Sequence, residues 1–144
     1  MTPIITLYDY LDGQGFFADW ESSTGSTQPK PVVQMRLLEE EAVDANKRIL
    51  LIKTVSSGSG DRYTSDPVFV FAVMGKVGES AIYAEDYAEL IYKSLLNFTN
   101  AGCVISIDPL GRINGAYKMD SGRTVYDMEF TVKVDSGHIG AGTL

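Results

Sequence analysis

The sequence predicts an α+β domain: a mixed, mainly antiparallel sheet with one long helix and a short N-terminal helix packed on it. Three observations carry this. The segment "SAIYAEDYAELIYKSLLNF" sets Ala84, Tyr87, Ala88, Ile91, Leu95 and Phe98 on one stripe at helical spacing. Near the end, "RTVYDMEFTVKV" alternates strictly: Tyr126, Met128, Phe130, Val132 and Val134 point one way. The runs "RILLIK" and "PVFVFAVMG" flank a glycine-rich loop, as two strands flank their connection.

Taken in order, Pro3 to Leu11 forms a short helix with Ile4, Leu7, Tyr8 and Leu11 on one face, Thr2 as N-cap and Pro3 at the first helical position. Gly13 and Gly15 stop it. "GFFADW" reads as an edge strand, and "ESSTGSTQPKP" as a polar loop without a packed element. "VVQMRLLEEEAVDANKR" reads as a strand followed by a charged turn around residues 39–46. Arg48 to Val55 is a strand. Pro67 to Met74 is apolar on both faces, which places it centrally with cover on both sides, or with one side against a neighbouring subunit. Ser80 is the expected N-cap of the long helix, and Asn100 or Gly102 its stop. Glu85, Asp86, Glu89 and Lys93 face outward. Cys103 to Ile107 is a strand, and "GAYKM" pairs with the last strand around a turn of Asp120, Ser121 and Gly122. On that last strand Val125, Asp127, Glu129, Thr131 and Lys133 form a second face that is wet or meets a partner. "DSGHIGAGTL" has no packing capacity, so residues 1–134 make a single domain and residues 135–144 a flexible tail.

A chain of 144 residues suits one domain with a real core. No apolar run approaches the roughly 20 residues that span a bilayer. The N-terminus lacks a basic leader region, so residence in the cytoplasm is expected. With one cysteine and one histidine, neither a disulfide framework nor a Cys- or His-based metal site is expected, and no cofactor. A net charge of −7 argues against a surface that wraps nucleic acid.

The search for chemistry is empty. "SSGSGDRYTSD" holds only Gly58 and Gly60, no lysine follows, and it leads into a strand rather than a helix, so it is no phosphate cradle. About ten residues is still long for a connection between paired strands, where two to five is usual. That length marks the loop as a contact element. Arg62 is its expected charged anchor, because guanidinium groups are favoured at interfaces. His138 sits in the tail with no acid or nucleophile near it in sequence. Cys103 reads as a buried thiol without a partner base. The side chains of Glu39, Glu40 and Glu41 diverge, as in a solvated turn. Asp108 and Asp120 occupy turns. Tyr87 belongs to the core, while Tyr83 and Tyr92 are candidates to cover an interface. The chain is not expected to be an enzyme.

From Arg48 to Val134, the order "RILLIK", Gly/Ser/Asp loop, "DPVFVFAVMG", "AEDYAELIYKSLL" and "GRINGAYKMDSGRTVYDMEFTVKV" resembles the tail terminator proteins of long-tailed bacteriophages, also called minor tail or tail completion proteins. The resemblance implies a virion structural protein that forms a hexameric ring on the head-proximal end of the tail tube. Such a ring ends tube polymerisation and offers a surface to the head–tail connector, and DNA passes through its lumen without specific binding. It implies no catalytic residue, cofactor or membrane. Assembly contacts are expected from Gly58, Gly60, Asp61, Arg62 and Tyr63 in the loop and from His138 in the tail. The same features leave two alternatives: another head–tail joining or tail tube protein, and, from a different class, a small ligand-binding or regulatory domain.

Overall fold

A computed structural model describes residues 3–56 and 64–135. Helix α1 (Pro3–Gly13) buries Ile4, Leu7 and Leu11, the stripe its spacing predicts. It unwinds where Gly15 takes φ +88°, a conformation that costs glycine nothing. The aromatic stretch that follows is a turn, not an edge strand. Phe17 packs on Tyr8 (centroids 4.7 Å apart) and Phe16 on Tyr87 (6.0 Å), and burying two rings beside the helices outweighs extending them. The polar loop carries a packed element after all: β1 (Trp20–Glu21) pairs antiparallel with β2 (Thr27–Gln28). The Ser22 hydroxyl holds the turn by meeting those of Thr24 and Ser26 at 2.9 Å, and the Trp20 ring anchors the ribbon 5.1 Å from Tyr87.

The main sheet contains β3 (Val32–Met35), β4 (Ile49–Ser56), β5 (Thr64–Ser65), β6 (Val68–Met74), β7 (Val104–Pro109), β8 (Asn114–Lys118) and β9 (Thr124–Asp135). The order runs β3–β4–β6–β9, and β5, β7 and β8 also pair with β9. Only β3 with β4 is parallel, in the register Val32↔Ile49; every other pair is antiparallel. The crossover between those two strands includes a single 3₁₀ turn at Glu40–Ala42, the expected charged turn. Asp108 lies in β7 opposite Thr131 rather than in a turn; the chain stays extended through Pro109 because β9 is long enough to pair with it. Asp120 does lie in the β8–β9 turn, where Gly122 takes φ +95°.

Helix α2 (Ile82–Leu96) buries Ala84, Tyr87, Ala88, Ile91 and Leu95 as predicted. Its N-cap is Ala81, without a side-chain cap bond, and the Ser80 hydroxyl sits one residue early, accepting from the Ile82 N–H at 3.4 Å. The helix ends at Leu96, ahead of both expected stops. Asn97 Nδ2 donates to the Lys93 carbonyl at 3.1 Å, satisfying a terminal acceptor. Phe98 then turns in to meet Tyr10 (4.9 Å).

Two apolar layers result. The inner face of the sheet, with Leu50, Ile52, Phe69, Phe71 and the even-numbered residues of β9 from Tyr126 to Val134, packs against α1 and α2. The outer face gathers Ile49, Leu51, Val70, Ala72, Met74 and Val125 with Val43, flanked by Val32, Leu38 and Met119. β6 is therefore central and covered on both sides, as its uninterrupted apolar run predicts. Val125 departs from the expected wet face and is 2 % exposed, because the Glu40–Asn46 segment and Met119 fold over it; the solvated face of β9 starts at Asp127.

Candidate assembly surface

Of the residues expected to make assembly contacts, Gly58, Gly60, Asp61, Arg62, Tyr63 and His138 all lie outside the described residues. Their points of attachment are described, and the sheet brings these together. β5 returns the chain from the loop and pairs with the end of β9 in the register Thr64↔Asp135, so the loop re-enters the sheet where the tail departs. β9 itself runs through Asp135.

Two buried arginines, neither singled out by sequence reasoning, fix the surface around this sheet. Arg48 immediately precedes β4 and is 4 % exposed. Its Nε donates to Glu79 Oε2 at 3.1 Å, and its Nη2 donates to Glu79 Oε1 and to Gln28 Oε1 (2.9 Å). The guanidinium also sits 4.8 Å from the Tyr83 ring centroid and 5.9 Å from that of Trp20. This fork ties the β1–β2 ribbon, β4 and the loop before α2 into one unit. Burial acts to raise the Glu79 carboxyl, but the Arg48 hydrogen bond, the Lys76 N–H and the charges of Arg48 and Lys76 together hold it below its ordinary value. Arg123, 1 % exposed, donates from Nη1 to the carbonyls of Lys47 (2.6 Å) and Gly75 (2.9 Å) and from Nη2 to that of Asp44 (2.9 Å). Its Nε lies 3.6 Å from Glu40 Oε1. The guanidinium thus pins the segment that covers the outer face. The sequence signal for both is an arginine set at the mouth of an apolar strand, where burial makes protein partners for most of its donors necessary; Arg48 Nη1 and Arg123 Nε are left without a hydrogen bond among the described residues.

The tyrosines expected to cover an interface are partly buried against the core. Tyr83 lies against Arg48, and Tyr92 packs 5.6 Å from Phe130 while its hydroxyl donates to the Gly111 carbonyl at 3.0 Å. Cys103 is buried, its sulfur 3.9 Å from the Thr6 hydroxyl, in line with a structural thiol. Among the described residues no three His, Cys, Asp or Glu side chains gather as a metal site would need.

What the described surface offers is shape. On the outer face a groove of about 360 Å³ has a floor of Leu51, Val70 and Ala72 and a rim that includes Arg36, Leu37, Lys53 and Tyr117. Arg36 takes φ +73°, the left-handed region a side chain rarely occupies, and Leu37 is 66 % exposed beside it. Across the groove Tyr117 donates to Asp127 at 2.5 Å, and burial, followed by that bond and the carboxylate charge, pushes the phenol up to about 12. On the other side of the molecule, α2 presents Ile82, Leu90 and Leu96 to solvent, with Glu85 and Glu89 between them. Exposed apolar features of this kind mark interaction surfaces, for another macromolecule or for a ligand.

Comparison with known proteins agrees with this character. No curated protein matches the chain. A solved chain from the "Virion of native gene transfer agent (GTA) particle" shares the fold at a TM-score of 0.54 and 14 % identity, over 92 % of this chain and 94 % of that one. The family model "Phage tail termination protein" matches residues 4–136, from the first turn of α1 past the end of β9. The chain therefore belongs to the phage tail termination protein family and is a structural protein of the virion.

Proposed function

We propose that the chain closes into a hexameric ring on the head-proximal end of the tail tube, stops addition of further tube subunits, and presents its opposite face to the head–tail connector. The family match across residues 4–136 carries this reading. The fold supports it physically: the outer groove and the α2 ridge lie on opposite sides of the sheet, and two different patches per subunit are what a cyclic assembly uses. The loop (Gly58, Gly60, Asp61, Arg62, Tyr63) and the tail (His138) start from one corner and meet the tube or the neighbouring subunit there. Residues 1–134 act as one unit and residues 135–144 as an arm. The net charge of −7 per subunit gives an acidic lumen that lets DNA pass without adhering. The protein acts in the host cytoplasm during assembly and thereafter in the tail. No helix among the described residues is long and apolar enough to cross a membrane.

Deleting the gene tests this. Lysates viewed by electron microscopy should hold tails of excess and uneven length, restored to uniform length by the wild-type gene. Tails of normal length without the gene, or purified rings that stack into tubes, would refute termination; the stacked rings would favour a tube protein.

A further inference from the structure

We propose that the outer groove of one copy receives the exposed ridge of α2 from the next copy, and that this contact is the repeating joint of the ring. The inference rests on the ring reading above and specifies its surface. Of nine large apolar side chains exposed among the described residues, five fall on these two features: Leu37 and Tyr117 on the groove, Ile82, Leu90 and Leu96 on the helix. Such concentration on two sites is unlike the scattered exposure of a finished surface. Ile82, Glu89 and Leu96 follow one another at i, i+7 and i+14 and so share one line along the helix, with Leu90 about a quarter-turn to its side.

Charge selects the occupant. Arg36 and Lys53 stand on the groove rim, and neither has an ion-pair partner among the described residues. Among the described residues one carboxylate lines the groove, Asp127, and it accepts from Tyr117 and from Asn114 Nδ2 at 3.2 Å. The groove therefore presents net positive charge around an apolar floor. The helix ridge leans the other way: Glu89 lies beside Leu90 with Glu85 one turn earlier and Asp86 and Glu21 lining the adjacent hollow, and these four carboxylates outnumber the two cations nearby, Lys93 and Arg112. Long-range attraction brings the two surfaces together in one orientation, and like charges reject groove against groove or ridge against ridge. The groove lies on the outer face and α2 on the inner, so the contact cannot be self-complementary. Each copy uses both surfaces, and repetition generates a ring when the rotation closes.

The test uses the full chain carrying Lys53→Cys and Glu89→Cys together, with Cys103 left in place, treated with a short bismaleimide in solution and on purified tail tubes. The expected product is a covalent ladder of multiples of the chain, which neither single variant gives alone. Charge exchange provides the second arm. Lys53→Glu and Glu89→Lys should each weaken self-association about tenfold or more, and the two combined should recover it, a rescue that misfolding does not produce. Oligomers that form without the ladder and are indifferent to the charge variants would overturn the inference and leave the ring intact. So would dimers from either single variant, or cross-linking of Lys53→Cys to the tube protein. A chain that stays monomeric in solution and on tubes would overturn both readings.

Discussion

Replacing Arg123 by methionine keeps the length and apolar stem of the side chain and removes every donor. Three hydrogen bonds disappear, to the carbonyls of Lys47, Gly75 and Asp44. At about 1.5–3 kcal/mol for each bond from a charged donor, the gross loss is large. Two effects reduce it. The guanidinium no longer has to be desolvated, and its Nε lacks a hydrogen bond in the native fold, so that cost was poorly offset. The Lys47 and Asp44 carbonyls also lie only partly buried and regain water. The net expectation is a destabilisation of about 2–4 kcal/mol, in the range of a broken buried network. Urea unfolding followed by circular dichroism should show a lower midpoint at unchanged slope. Arg123→Lys retains the charge but not the fork, and should recover less than half. Loss of under about 1 kcal/mol with methionine, or full recovery with lysine, would refute the claim that the forked guanidinium holds the outer layer in place.

The Glu79 carboxyl titrates below its ordinary value of 4.5, so its contribution is present above that pH and is lost as pH falls through the depressed folded value; acid unfolding curves of Glu79→Gln should be correspondingly flatter below about pH 4.5. Gly115→Ala places a Cβ 2.5 Å from Tyr126 Cδ1 and 2.9 Å from the Val125 carbonyl at φ +147°, which should cost about 1–3 kcal/mol and speed amide exchange in β8 above all. Leu7→Ala, fully buried where α1 meets the sheet, should cost about 2–5 kcal/mol by thermal or urea unfolding. Deleting Gly58–Tyr63 should leave a folded subunit by circular dichroism that no longer caps tubes; normal tail lengths from this deletion would remove the loop from the assembly surface.

The parts of the fold that were readable in the sequence are those where periodicity and burial coincide. The α2 stripe and the inner face of β9 each answer to one layer, so their spacing is clean. Val125 broke the alternation because a second layer, supplied by the distant Val43 and by Met119 at the hairpin turn, covers that end of the strand. The β1–β2 ribbon escaped notice because its stability comes from one indole and a cluster of hydroxyls, with no apolar alternation to display. The ends of α2 were misplaced since its caps are backbone geometry and a single Asn97 amide, not the serine and glycine that usually mark them. The groove was invisible for a related reason: Leu37, Lys53 and Tyr117 lie far apart in sequence, and only the parallel β3–β4 pairing and the β8 hairpin bring them onto one face.

β9 pairs with β5, β6, β7 and β8, and it follows all of them along the chain. During translation these four strands emerge before the one they share, so only β3, β4 and β6 of the main sheet can pair until β9 arrives. Long-range pairing of this kind slows folding, because loop closure must precede the contacts that reward it. It also delays completion of the inner layer, and with it the docking of α2, until the last strand leaves the ribosome. Under the proposed function, this keeps a half-made subunit from joining a tube.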